Sequence, residues 1–213
     1  MRGLNFMMNF VHSNLEVVKP KLFDEAISQV KTNKKNDRLE ILELGIGTGE
    51  NFKHFPKGSN VTILDKTDIF LPYLNESIKK NNRQDLNVSK LVVSKAEEMV
   101  GIESDSMDVV VHTFILCSVN DYKKVMSEIY RVLKPGGVCI FIEHSIDNEN
   151  KPRKYMQKVI EPALSDCKFL DMKKVLSSGP YDHLELKKYR VNRALITFIN
   201  PIVYGYGFKS LNK

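Results

Sequence analysis

Residues 41–52 read ILELGIGTGENF, an apolar run that stops on Gly45, Gly47 and Gly49, with Glu43 just before them. The run over 39–44 is short and apolar without alternation, which predicts a strand buried on both faces. Glycines directly after such a strand let backbone approach a ligand with no Cβ between them. In an open parallel sheet that corner is where ligands sit, beyond the carboxyl ends of the strands where the strand order reverses. The rest of the chain decides whether such a sheet exists.

It alternates as a parallel sheet requires. Strands are predicted at Asn60–Asp65, 88–93, 107–114 and 138–143, and amphipathic helices at 67–82 and 121–133, the second stopped by Pro135 and Gly136. Residues 13–30 carry a helical stripe that Pro20 divides into two pieces. Beyond Asp147 the pattern weakens to a helix at 155–164 and strands at 184–189 and 203–208, which suit a hairpin-like edge. Strand–helix alternation implies right-handed crossovers, so the expected fold is α/β, a mostly parallel seven-stranded sheet with helices on both faces. Residues 1–36 are expected to form an N-terminal helical segment over the site, and residues 37–213 the main domain.

Bulk composition excludes several classes. The chain has 213 residues, 42% hydrophobic and 27% charged, enough for one α/β domain and ordinary for a globular one. Cys117, Cys139 and Cys167 are odd in number, widely spaced and without a CxxC pair. That argues against a disulfide scaffold or a zinc site and fits a reducing compartment. The net charge of +6 is scattered over several clusters and reads as a solvated basic face. Residues 1–14 are too short and too polar for a signal peptide or a spanning helix, and no run of about 18 apolar residues occurs.

The glycine corner admits a dinucleotide or another adenosine-bearing ligand. Asp65 closes the second strand, 65 − 45 = 20 residues after the first glycine, where a carboxylate can take hydrogen bonds from both ribose hydroxyls. The dinucleotide fingerprint would need its third glycine at position 50, which is Glu50, a carboxylate that would repel a pyrophosphate. A phosphate-free ligand avoids that conflict. S-adenosylmethionine carries an ammonium group that Glu43 suits, directly or through water.

The segments ELGIGTGENF, ILD, AEEM, SMDVVVHTFILCSV, IYRVLKPGGVCIFIEH and VYGYGFK together resemble the class I S-adenosylmethionine-dependent methyltransferases. More narrowly, the chain resembles the methyltransferase-like thiol S-methyltransferases, over roughly residues 40–209. The resemblance implies a Rossmann-like class I methyltransferase fold. It also implies that Glu43, Gly45, Gly47 and Gly49 line the methionine part of the donor, and that Asp65 holds the ribose with Lys66 beside it. Ala96 and Glu97 would lie along the adenine, and Thr113 to Ser118 would face the sulfur and the acceptor. Many relatives have an acidic residue just before the alanine; here it is Lys95, which leaves adenine recognition to backbone groups or Glu97. Members of this group commonly begin with an apolar membrane anchor, and residues 1–14 do not read as one. The expectation is therefore a cytoplasmic monomer, open to peripheral membrane contact.

Methyl transfer from a sulfonium is an in-line displacement that mainly needs alignment and dryness. A thiol acceptor, with a pKa of about 8.5, needs at most a modest base. His144, at the end of the fifth strand, is the candidate for that role. His112, inside the fourth strand, reads as a core residue, and Cys117 as a pocket wall. Tyr204 and Tyr206 could roof the site, although alternate aromatics in a strand usually pack a core. No carboxylate cluster points to a divalent ion, so a metal-independent enzyme on a small-molecule acceptor is expected, leaving S-adenosylhomocysteine. A nucleic-acid methyltransferase acting on adenine would place an Asn/Asp-Pro-Pro-aromatic segment where Thr113-Phe114-Ile115-Leu116 stands, so no stable nucleic-acid partner is expected. O- or N-methylation of another small molecule, and a non-catalytic donor-binding module, remain the other readings.

Overall fold

The central strands are apolar at successive positions because both faces are covered. In β1 (Glu40–Leu44), Ile41 packs into one hydrophobic cluster while Leu42 and Leu44 pack into the other. The same division holds in β4 (Met107–Thr113), where Val109 and Val111 oppose Val110, and in β5 (Leu133–His144), where Val138, Ile140 and Ile142 oppose Cys139 and Phe141. The computed structural model describes residues 11–30, 38–47, 49–69, 71–164, 167–192 and 194–211, with the side chains of 71–73, 75 and 194–196 outside that description. The expected domain boundary at 36/37 and Thr48 of the glycine loop lie outside the described residues.

With β2 (Asn60–Asp65), β3 (Asn87–Val93), β6 (His183–Tyr189) and β7 (Ile202–Phe208), the strands form one seven-stranded sheet in the order β3-β2-β1-β4-β5-β7-β6. The first five run parallel; β7 is antiparallel to both β5 and β6. The mostly parallel sheet with a hairpin-like edge is thus present as expected. Successive strands step outward from β1 to β3, then cross to the other side for β4, so the order reverses between β1 and β4. That crevice is the one the glycines face.

Helix α1 (Lys19–Ile27) carries Pro20 in its first turn and buries Leu22, Phe23 and Ala26, while residues 11–15 form a separate helical piece before it. The split at Pro20 is therefore as expected. Helix α2 (Leu71–Lys80) follows β2. Helix α3 (Tyr122–Val132) is capped by Asp121, whose side chain accepts from the backbone of Lys123 and Lys124, and buries Val125, Met126, Ile129 and Val132.

Some elements differ from the sequence reading, among them α2, which starts at Leu71 rather than 67. Strand β5 begins at Leu133 rather than 138, because Leu133 already pairs with Met107 and a register shift before Val109 absorbs the Pro135–Gly137 stretch. Helix α4 (Lys151–Ile160) starts earlier than 155, because Asn150 caps it and Pro152 suits its first turn. Helix α5 (Met172–Ser177), capped by Asp171, is too short to show a period in sequence.

Candidate active site

The chain leaves β1 still tied to β2, since Gly45 N donates to Leu64 O at 2.8 Å. Gly45 has φ +69°, and a Cβ built on it would lie 2.2 Å from Ile115 Cδ1, so a side chain here meets both strain and a wall. Gly49 has a different task. Its added Cβ would stand 2.7 Å from Ser77 Oγ, and Ser77 Oγ donates to Gly49 O at 3.1 Å. Gly49 therefore lets α2 approach the loop and does not itself line the cavity.

That cavity, of about 750 Å3, opens at the carboxyl ends of β1, β2 and β4. Among the residues expected there, Glu43, Gly45, Gly47, Asp65, Lys66, Ala96, Glu97 and Thr113 line it, as do Phe114, Ile115 and Ser118 of the segment after β4. His12, Asn51 and Lys168 also line it and escaped the sequence reading. Asn51 sat in plain view within the glycine motif. His12 and Lys168 come from segments with no recognisable pattern.

Asp65 is nearly buried, and it stabilises the loops on either side. Its Oδ2 accepts from Ile46 N at 3.1 Å and its Oδ1 from Thr67 N at 3.2 Å. Burial pushes its carboxyl up, and the backbone donors oppose that. Each oxygen keeps lone pairs for a ligand hydroxyl.

Glu43 is more deeply enclosed. Its Oε1 accepts from Asn51 Nδ2 at 2.8 Å, and Asn51 Nδ2 also reaches Thr113 Oγ1 at 3.1 Å. Its Oε2 and the Asn51 Oδ1 are buried and, among the described residues, have no hydrogen-bond partner. Burial pushes Glu43 up to about 8, with the Asn51 amide and then Lys19 opposing. Lys19 is itself fully buried, with Nζ 3.0 Å from His12 Nδ1, and burial pulls it down to about 8. His12 is pulled down to about 3 by burial and then by Lys19, so it is neutral near pH 7 and its Nδ1 accepts from the lysine.

The wall after β4 is held from behind. Glu143 Oε1 accepts from Ile115 N at 3.0 Å and Leu116 N at 3.2 Å, and pairs with His112 Nδ1 at 2.7 Å. Burial pulls His112 down, but Cys139 and the Glu143 carboxylate outweigh it and push the imidazole up to about 10. His112 is therefore a core residue with a positioning task. Glu97 Oε1 is partly engaged, accepting from Asn120 N at 2.8 Å.

His144 does not reach the cavity. Its Nε2 lies 3.1 Å from Cys167 Sγ, and its ring packs against Phe114 and Phe169, with Phe114 between it and the cavity. The imidazole expected to serve as a base is therefore not among the residues that line the cavity, and packs against Phe114, which does. Cys117 likewise sits behind the wall, and Tyr204 and Tyr206 pack with the core rather than over the site. Asp108 is at the other end of β4, bound to Lys134 Nζ at 2.9 Å and Glu40 N at 2.8 Å. Among the described residues, no helix is long and apolar enough to cross a membrane.

Comparison with known proteins bears on the family and the fold. Residues 42–141 match a family described as "Methyltransferase domain". The chain is 38% identical over 152 residues to thiol S-methyltransferase TMT1B of Rattus norvegicus, covering 71% of this chain and 60% of that protein. It is 33% identical over 177 residues to thiol S-methyltransferase TMT1A of Homo sapiens, covering 81% of this chain and 71% of that protein. The chain thus spans well short of the full length of these curated relatives. Among solved structures, the arsenic(III) S-adenosylmethionine methyltransferase CrArsM of Chlamydomonas reinhardtii shares the fold with a TM-score of 0.58 at 20% identity. That match covers 90% of this chain and 75% of the other.

Proposed function

The chain belongs to the thiol S-methyltransferase family, and on that premise we propose that it moves the methyl group of S-adenosylmethionine onto the sulfur of a small alkyl thiol. One observation carries the donor reading: the two buried acceptor oxygens, Glu43 Oε2 and Asn51 Oδ1, that lack partners among the described residues beside the glycine loop. An unmet buried acceptor is costly, and an ammonium group is the donor that would satisfy it best. Asp65, at the adjoining strand end, suits a ribose diol. Glu50, also on the cavity, disfavours a pyrophosphate. The residues present therefore fit a phosphate-free adenosyl amino acid.

When bound, that donor supplies an electrophilic methyl group on a positively charged sulfur. The protein's part is to position and to dry. Glu43 and Asn51 would hold the amino-acid end, Asp65 the ribose, and Ala96 with Glu97 the base. Phe114 and Ile115, fixed through their segment's hydrogen bonds to Glu143, form an apolar wall that excludes water from the reacting sulfur. Among the described cavity residues, His12 is held near 3, too weak a base at neutral pH, and Glu43, pushed up to about 8, would be engaged by the donor's ammonium. A thiol does not need a strong base, because a few per cent is already thiolate near pH 7. Lys168 at the rim favours the arriving anion. Phenols and most amines would lack the proton acceptor they require.

The test is product analysis with methyl-labelled donor and a panel of alkyl thiols, phenols and amines. Methyl sulfides should form in step with S-adenosylhomocysteine. Turnover of phenols or amines with no thiol product would reject the acceptor while leaving the donor site intact.

A further inference from the structure

In sequence the cysteines look unrelated, with Cys117 and Cys167 separated by 50 positions. The fold joins them. Cys117 follows β4, His144 ends β5, and Cys167 precedes α5, yet their sulfur and nitrogen atoms all lie within 4.8 Å of one another. We propose that Cys117, His144 and Cys167 bind one thiophilic divalent cation, Zn2+, through two thiolates and one imidazole, with a fourth position left to water.

The ligand set is the first argument. Two sulfurs and an imidazole are a soft, zinc-selective combination, and three protein ligands leave one tetrahedral position open. Bond lengths of about 2.3 Å to sulfur and about 2.0–2.1 Å to nitrogen put such donors roughly 3.6–3.8 Å apart. The three atoms lie within 4.8 Å of one another, and the 3.1 Å contact between His144 Nε2 and Cys167 Sγ would widen by roughly 0.5 Å on binding. Charge is the second argument. Cys117 and His144 are buried, and a dication with two thiolates sums to zero, the condition under which buried charge is tolerated. The two thiol protons leave to solvent on binding.

The donors are also held in advance. Lys168 N donates to Cys117 O at 2.9 Å, which ties the two cysteine segments together. The imidazole is fixed by Phe114 and Phe169, and its Nδ1 has no hydrogen-bond partner among the described residues. On binding, the Nε2 contact with Cys167 Sγ gives way to the metal and the ring proton sits on Nδ1. The consequence is mechanical: the ion would pin the segment after β4 to the segment before α5, both of which contribute walls to the cavity. None of the three ligands lines that cavity, so the inference stands apart from the donor and acceptor reading.

The experiment is a Co2+ titration of the reduced, chelator-stripped full chain, followed by Zn2+. One equivalent of Co2+ should give sulfur-to-cobalt charge-transfer absorption with tetrahedral visible bands, and Zn2+ should abolish both. C117S and C167S should each weaken Co2+ binding at least tenfold and roughly halve the charge-transfer intensity. C139S, buried in β5 and outside the cluster, should leave both unchanged. Circular dichroism of every variant checks the fold, and C167S, at the half-buried ligand, is the variant best tolerated. A folded, reduced wild type without charge-transfer absorption overturns the proposal. So does a spectrum that survives C167S.

Discussion

Replacing Glu43 by Gln should stabilise the ligand-free protein while weakening its grip on the donor. Burial pushes Glu43 up to about 8 from the usual 4.5, so near pH 7 the folded chain keeps a proton that the unfolded chain gives up. For an acid whose pKa is raised by folding, the contribution is most favourable at low pH and declines as pH rises from about 4.5 to about 8. At about 1.4 kcal/mol per unit, the loss is about 1 kcal/mol at pH 5 and about 3 kcal/mol at pH 7. Gln keeps the shape and an oxygen for Asn51 Nδ2 but has no proton to lose. The stability advantage of E43Q over wild type should therefore widen by about 2 kcal/mol between pH 5 and pH 7. Urea denaturation without donor, at three pH values, measures it. Calorimetry with S-adenosylhomocysteine should move the other way, with affinity falling by roughly 10–100-fold for the lost charge-assisted bond. A stability gap that stays constant with pH would refute the buried neutral carboxyl.

Three further outcomes are expected. Gly45→Val forces a branched side chain to φ +69° and against Ile115, so it should lower the melting temperature by roughly 4–8 °C for about 2 kcal/mol; an unchanged melt contradicts the geometry. Asp65→Ala should reduce S-adenosylhomocysteine affinity at least tenfold by calorimetry, whereas unaltered affinity would remove the ribose assignment. At saturating donor, with Glu43 engaged by the ammonium, kcat/KM for the thiol should rise with pH and level off at each thiol's own pKa across a thiol series; a break at one fixed pH for every thiol would reveal a protein base.

The sequence carries the parallel core well, because the central strands are nearly continuous in apolar residues and β1 and β2 end at the glycines and the acid that mark the ligand corner. Glu43, Gly45 and Asp65 were legible for that reason. The later elements were harder. Helix α5 has six residues and one capping Asp171, too little for a period to emerge. Gly49 looks identical to Gly45 in sequence, yet it faces Ser77 rather than the cavity, a distinction made only by where α2 packs. His144 could not be placed from its position in β5, because Phe114 decides which side of the wall it occupies. His12 belongs to the N-terminal segment expected over the site but carried no signal of its own, and Lys168 reaches the cavity from a segment without a pattern.

A crystal structure with S-adenosylhomocysteine tests the central claim most directly. Both ribose hydroxyls should meet the Asp65 carboxylate, the amine should meet Glu43 Oε2, and the sulfur should face the segment from Thr113 to Ser118. A nucleoside bound elsewhere, or one whose amine points away from Glu43, would contradict it.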